Sequence, residues 1–250
     1  MKPLVGAIPR PVAVLARSSA PMLLAAWLLL GAAGAWAQCA AMQAVVAKQR
    51  DNLMRLLQCL ADPKCPSVIE TEDLGRTCRS TTHVWMRSAD GRFAVIRDLK
   101  MCQIGPGPHD EKFVHGLAIP LTPIAGVEDE GAYATSEQNG IWQLAWESAL
   151  AKGLREEEIA LVANPPGNRS QNLLHVHVVR RNQAPLPAGI AMPDLASVWQ
   201  RAAEAGGQIA CRNYGIVVTR SAGAFRLLVE EGDANPQINP EGKYTLERRE

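Results

Sequence analysis

The stretch Ser170-Gln-Asn-Leu-Leu-His175-Val-His177-Val-Val179 places two imidazoles one residue apart inside an apolar run. Side chains alternate across a strand, so this spacing turns both rings to one face and Leu174, Val176 and Val178 to the other. An imidazole titrates near neutrality, so an unprotonated ring is available without extreme tuning. Such a ring can attack phosphorus directly, forming a phosphoramidate that water later cleaves. Its neighbour on the same face can orient it or reach a phosphate oxygen. The upstream loop Asn164-Pro-Pro-Gly-Asn-Arg-Ser170 is rich in turn formers, and its hydroxyl and backbone N–H groups can meet negative charge. A His-x-His spacing is equally half of a metal site, to be completed by His83, His109, His115 or a carboxylate, or simply a pair of structural or surface imidazoles. Spacing alone leaves all three readings open.

A scaffold must hold these groups in place. Residues 159–163 form a short apolar run that suits a strand lying beside the histidine strand. His83-Val-Trp-Met86 and Phe93-Ala-Val-Ile96 flank Ala89-Asp-Gly91, a hairpin signal, and Val114 to Leu121 reads as a strand stopped at Thr122-Pro123. Tyr214 to Thr219 and Phe225 to Val229 form a further hairpin around Ala222-Gly223. Apolar positions between residues 40 and 60 recur at helical spacing and stop near Asp62-Pro63. A helix from Ser136 to Leu154 presents Ile141, Leu144, Ala145, Ser148, Ala149 and Lys152 at three-to-four spacing. Asp194 caps a second helix that ends at Gly206-Gly207. Residues 101–109 read as loop, 185–193 as a linker and 232 onward as a polar, mobile tail. Strands joined as hairpins with helices between groups of them favour an antiparallel α+β sheet over a doubly wound parallel one. Trp142, Trp146 and Trp199 belong either to the core or to an exposed apolar surface.

Lys2, Arg10 and Arg17 precede an apolar stretch from Met22 to Leu30, followed by small residues and Ala35-Trp-Ala37. This is the order of a secretory signal, with cleavage after Ala37 or retention as an N-terminal membrane anchor. An exported chain, periplasmic or anchored to the inner membrane, is the expectation. The six cysteines then read as structural disulfides, with Cys59 and Cys65 flanking a turn-forming insert. With 26 basic and 25 acidic side chains, the chain lacks the charge that nucleic-acid binding runs on. No dinucleotide, phosphate-loop or nucleophile-elbow motif is present. The expected layout is a signal or anchor over 1–37, a helical, Cys-containing segment over 38–77, a catalytic domain over 78–231 and a polar tail over 232–250.

The histidine stretch resembles the histidine-triad superfamily and, more closely, its CDP-diacylglycerol pyrophosphatase branch. The similarity runs through Phe93 to Leu99, Gly116 to Glu128, Trp142 to Trp146, Asn164 to Arg180 and Tyr214 to Arg220. Its most specific parts are the histidine strand and Pro-x-x-x-Ile-x-Gly-Val-Glu, residues 120–128. The resemblance implies a histidine-triad-like antiparallel sheet with flanking helices. It makes His175 the nucleophile and His177 a group that orients the site and contacts phosphate. It also assigns His115 as an accessory histidine, Ser170 and Asn164 to the phosphates, and Asp98 to ribose hydroxyls. The first triad position falls on Leu173, a departure that touches rate and histidine orientation more than reaction type. The implied reaction is hydrolysis of the lipid nucleotide CDP-diacylglycerol at a membrane surface to CMP and phosphatidate, with no cofactor and no essential metal. Alternative readings are a soluble-nucleotide hydrolase, a non-catalytic exported binding protein, and a metal-dependent hydrolase using His175 and His177 as ligands.

Overall fold

Runs of β-branched residues separated by turn pairs have one economical outcome, strands that fold back on their neighbours. The computed structural model describes residues 39, 52–70, 81–98, 101, 113–129, 132, 140–232 and 239–246. Within these residues the strands are β1 (Val68–Glu70), β2 (Thr81–Arg87), β3 (Phe93–Arg97), β4 (His115–Pro120) and β5 (Ile159–Ala163), followed by β6 (Val176–Arg180), β7 (Ile190–Met192), β8 (Tyr214–Ser221) and β9 (Ala224–Glu231). They form one nine-stranded sheet in the order β1-β2-β3-β4-β6-β5-β8-β9-β7. Every pairing is antiparallel. The α+β expectation holds. The hairpin at Ala222-Gly223 closes with both residues at positive φ, 51° and 78°, the geometry that matches the twist of a two-residue turn.

The α-helices that accompany the sheet are α1 (Asn52–Leu60), α2 (Gly140–Ala151), α3 (Val198–Gly206) and α4 (Pro240–Tyr244). One sheet face, carrying Val95, Ala118, Leu161, Val176, Val178, Ile216, Val218 and Leu227, packs against α2 and α3. Trp142, Trp146 and Trp199 are 0%, 4% and 2% exposed in this layer, so they are core and line no lipid-facing groove. Their burial widens the inner face of α2 beyond the stripe read from sequence, and Lys152 lies outside it, exposed. The start expected at Ser136 lies outside the described residues.

The opposite face is covered in two parts. Ala94, Ile96, Leu117 and Ile119 pack under the leucines of α1. Ala160, Val162, Val179 and Val217 pack under Tyr244 of α4. That second contact corrects the expectation of a mobile tail for residues 239–246. Asn239 caps α4 by accepting from Gly242 N at 2.7 Å, and Glu241 and Tyr244 are buried. The linker expected at 185–193 also contains β7, which pairs along the edge strand β9. Disulfides join Cys39 to Cys211 and Cys59 to Cys65, the latter closing the short loop anticipated from sequence. Cys78, Cys102 and the N-terminal segment 1–37 lie outside the described residues. Among the described residues, no helix is long and apolar enough to cross a membrane.

Candidate active site

Strand alternation decides where the polar side chains go. On the face shared by α1 and α4, Ala94 and Ile96 lead by the same parity to Asp98, and Ala160 and Val162 lead to Asn164. Leu117 and Val179 likewise step back to His115 and His177. Register then brings them side by side, because His177 stands opposite both Leu117 of β4 and Val162 of β5. Asp98 N donates to His115 O at 2.9 Å, extending the β3–β4 ladder by one step. The result is a buried polar strip between two apolar patches.

The contacts within the strip are close. His115 Nε2 lies 3.1 Å from His177 Nδ1 and 3.2 Å from Asp98 Oδ2. Glu241 enters from α4, with Oε1 at 3.3 Å from His115 Nε2 and Oε2 at 3.2 Å from His177 Nε2. Asn164 Nδ2 donates to Glu241 Oε2 at 3.0 Å, and Glu241 N donates back to Asn164 Oδ1 at 3.2 Å. Asp98, His115, Asn164, His177 and Glu241 are all under a tenth exposed. Both ring nitrogens of His177 therefore face protein groups, as does the side-chain amide of Asn164.

His175 sits beside this strip and one residue before β6, rather than inside the strand as the sequence pattern suggested. The reason is that Leu174 N donates to Ile124 O at 2.8 Å, which pairs the chain there with the 121–129 loop instead of with β4. The two rings still share a face, with centroids 4.9 Å apart. His175 Nδ1 donates to Leu173 O at 2.7 Å, which fixes the tautomer with an unprotonated Nε2. Burial pushes the His175 imidazole down to about 3, with His177 as the next cause. The carbonyl of Leu173 and the carboxylate of Glu241 act the other way, and Arg169 adds a smaller lowering.

The loop that carries His175 is anchored by the Pro-x-x-x-Ile-x-Gly-Val-Glu stretch. Glu128 accepts a bidentate pair from Arg169, with Nη1 to Oε2 at 2.6 Å, and Ile124 supplies the carbonyl just described. A Cβ at Gly126 would come within 1.7 Å of Arg169 Nη1, so only glycine lets the guanidinium pass. Ser170, next along, is exposed and stands apart from the hydrogen-bonded strip. His83 is exposed on β2, and His109 lies outside the described residues.

The structure thus joins Asp98, His115, Asn164 and His177 and sets His175 against them. Sequence reasoning missed Glu241 and gave Arg169 no role. The Asn239-Pro240 pair, a helix-start signal, was the one hint that the tail folds back. Gly126 between two apolar residues was the hint of a close approach. A family model described as CDP-diacylglycerol pyrophosphatase matches residues 109–234, a span that takes in His115, Asn164, Arg169, Ser170, His175 and His177. Among curated proteins, none matches the chain.

Proposed function

Because the chain belongs to the CDP-diacylglycerol pyrophosphatase family, a family of hydrolases, we propose that it cleaves CDP-diacylglycerol through a covalent cytidylyl-histidine on His175. Nε2 of His175 attacks the phosphorus next to cytidine. An N–P bond forms, the P–O bond to the second phosphate breaks, and phosphatidate leaves. Water then attacks the same phosphorus, the N–P bond breaks, and CMP is released with the imidazole restored. Each half-reaction replaces one bond to phosphorus by another, so atoms and charge balance with one water consumed.

The observation that carries this reading is the hydrogen bond from His175 Nδ1 to Leu173 O. It commits the proton to one nitrogen and leaves a lone pair on the other, and the lowered pKa keeps that lone pair free across neutral pH. The ring is 5% exposed, a setting in which an attacking nitrogen is poorly hydrated. His177 backs the nucleophile, and His115, Asp98, Asn164 and Glu241 hold His177 in one orientation. Ser170 is assigned to donate its hydroxyl to a phosphate oxygen. A ribose contact for Asp98 and a phosphate contact for Asn164 require those groups to exchange the partners described above.

Export accompanies this assignment. The charged, apolar, small-residue order of residues 1–37 and the two disulfides support a protein that works outside the cytoplasm, at the membrane surface where its substrate lies. Rapid quench of the protein with cytidine-labelled CDP-diacylglycerol is expected to leave acid-labile, base-stable label on the peptide containing His175. Turnover without any labelled histidine would overturn the covalent step.

A further inference from the structure

The two donors assigned to phosphate, Asn164 and His177, already hold an anionic oxygen. Among the described residues the buried Nδ1 of His115 has no hydrogen-bond partner. Its Nε2 faces His177 Nδ1 at 3.1 Å, Asp98 Oδ2 at 3.2 Å and Glu241 Oε1 at 3.3 Å. The ring proton of a neutral His115 therefore sits on Nε2, where the acceptors lie. Nδ1 of His177 is then an acceptor, and the His177 proton sits on Nε2, directed at Glu241 Oε2 3.2 Å away. Asn164 Nδ2 donates to that same oxygen at 3.0 Å. Two donors from the adjacent β5 and β6 thus converge on one carboxylate oxygen. A phosphate oxygen accepts from the same donors at the same distances. The two oxygens cannot share that point.

We propose that the carboxylate of Glu241 occupies the phosphate subsite and is exchanged during turnover for the phosphate next to cytidine. A non-bridging oxygen of that phosphate takes the place of Oε2, and the returning carboxylate expels CMP. This rests on the assignment of Asn164 and His177 to phosphate and adds the residue that sets how tightly phosphate is held. Glu241 reaches the subsite from α4, beyond the residues of the family match, and its charge is felt at His175 as well. The other end of α4 is fastened away from the site. Tyr244 is buried under Val179 and Val217, Asn182 N donates to Tyr244 O at 2.9 Å, and Leu246 N donates to Arg180 O at 2.8 Å. Rotation about the side-chain bonds of Glu241 therefore withdraws the carboxylate while α4 stays docked. The apparent affinity for the nucleotide is lowered by the fraction of molecules in which the carboxylate is withdrawn.

CMP binding to the full-length protein in detergent, read by calorimetry, tests the exchange without turnover. Glu241→Gln is expected to tighten CMP by about 10-fold, and Glu241→Ala by more. A purely positioning role for Glu241 predicts the opposite, because a loosened His177 would hold phosphate less well. Unchanged or weaker CMP binding by folded Glu241→Gln would overturn the proposal. Asp98→Asn removes a carboxylate from the Nδ1 side of His177 and should not tighten CMP. Equal tightening there would reduce the effect to charge repulsion and overturn the exchange too. In a crystal structure of the wild-type CMP complex, a phosphate oxygen should lie within hydrogen-bond reach of Asn164 Nδ2 and His177 Nε2, with Glu241 turned away. Glu241 still held by both donors in that complex would sink the exchange even if no variant folds. CMP bound alike by wild type and Glu241→Gln would leave the covalent step standing, whereas CMP bound by neither would count against that step as well.

Discussion

The two faces of the sheet are built from the same alternating strands and do opposite work. One is apolar throughout and is sealed by α2, α3 and three tryptophans. The other is apolar only at its two ends, under α1 and α4, with the carboxylates and imidazoles between. A polar strip is tolerated inside a core only when each member finds a partner, and here the partners come from β3, β4, β5, β6 and α4 together. The first face stabilises the sheet. The second spends some of that stability on groups that can do chemistry. The contrast teaches that a site can be placed in the interior simply by interrupting one face of an otherwise apolar sandwich.

The sharpest way to break this comparison is at His175. Replacing it with Ala should lower turnover of CDP-diacylglycerol by roughly 10⁴-fold or more, and replacing it with Asn should do the same with the fold intact. Wild-type-like CMP release from either variant would remove the nucleophile from the polar face. Trp142→Ala tests the other face. It should cost about 3–5 kcal/mol in denaturant unfolding, with activity per folded molecule nearly unchanged. A loss below about 1 kcal/mol would mean that the tryptophan layer is not the stabilising one.

Ser170→Ala is expected to slow turnover by roughly 10- to 1000-fold if its hydroxyl meets charge in the transition state. A change within twofold in kcat would send the donor role to another group of the loop. A last effect concerns acid. Because the His175 value lies below the ordinary 6.5, the unfolded chain takes up that proton first. His175 therefore contributes stability above pH 6.5 that is lost as pH falls toward about 3. Each pH unit in that window costs up to about 1.4 kcal/mol. Unfolding midpoints of wild type should fall more steeply with acid than those of His175→Asn, and parallel curves would contradict the assignment.

Much of the scaffold could be read from local pattern. The hairpins around Asp90-Gly91 and Ala222-Gly223, the strand over 159–163 and the cap at Asp194 are short-range features, set by residues within a few positions of each other. The helix stripe was read too narrowly, because tryptophan burial depends on what packs above it and not on spacing. The tail was misread for a related reason. Residues 239–246 are polar in composition, yet Tyr244 finds Val179 and Val217, and Glu241 finds Asn164, only after the sheet exists.

By itself the sequence determined the period-two alternation that turns His175 and His177 one way and the turn chemistry around them. Tertiary structure alone decided that Asp98, Asn164, His115 and Glu241 meet at His177, since these groups come from distant parts of the chain. Alternation fixes the face a side chain takes, a one-dimensional property. Strand order and register fix its neighbours, and those follow from how the whole sheet buries its apolar surface.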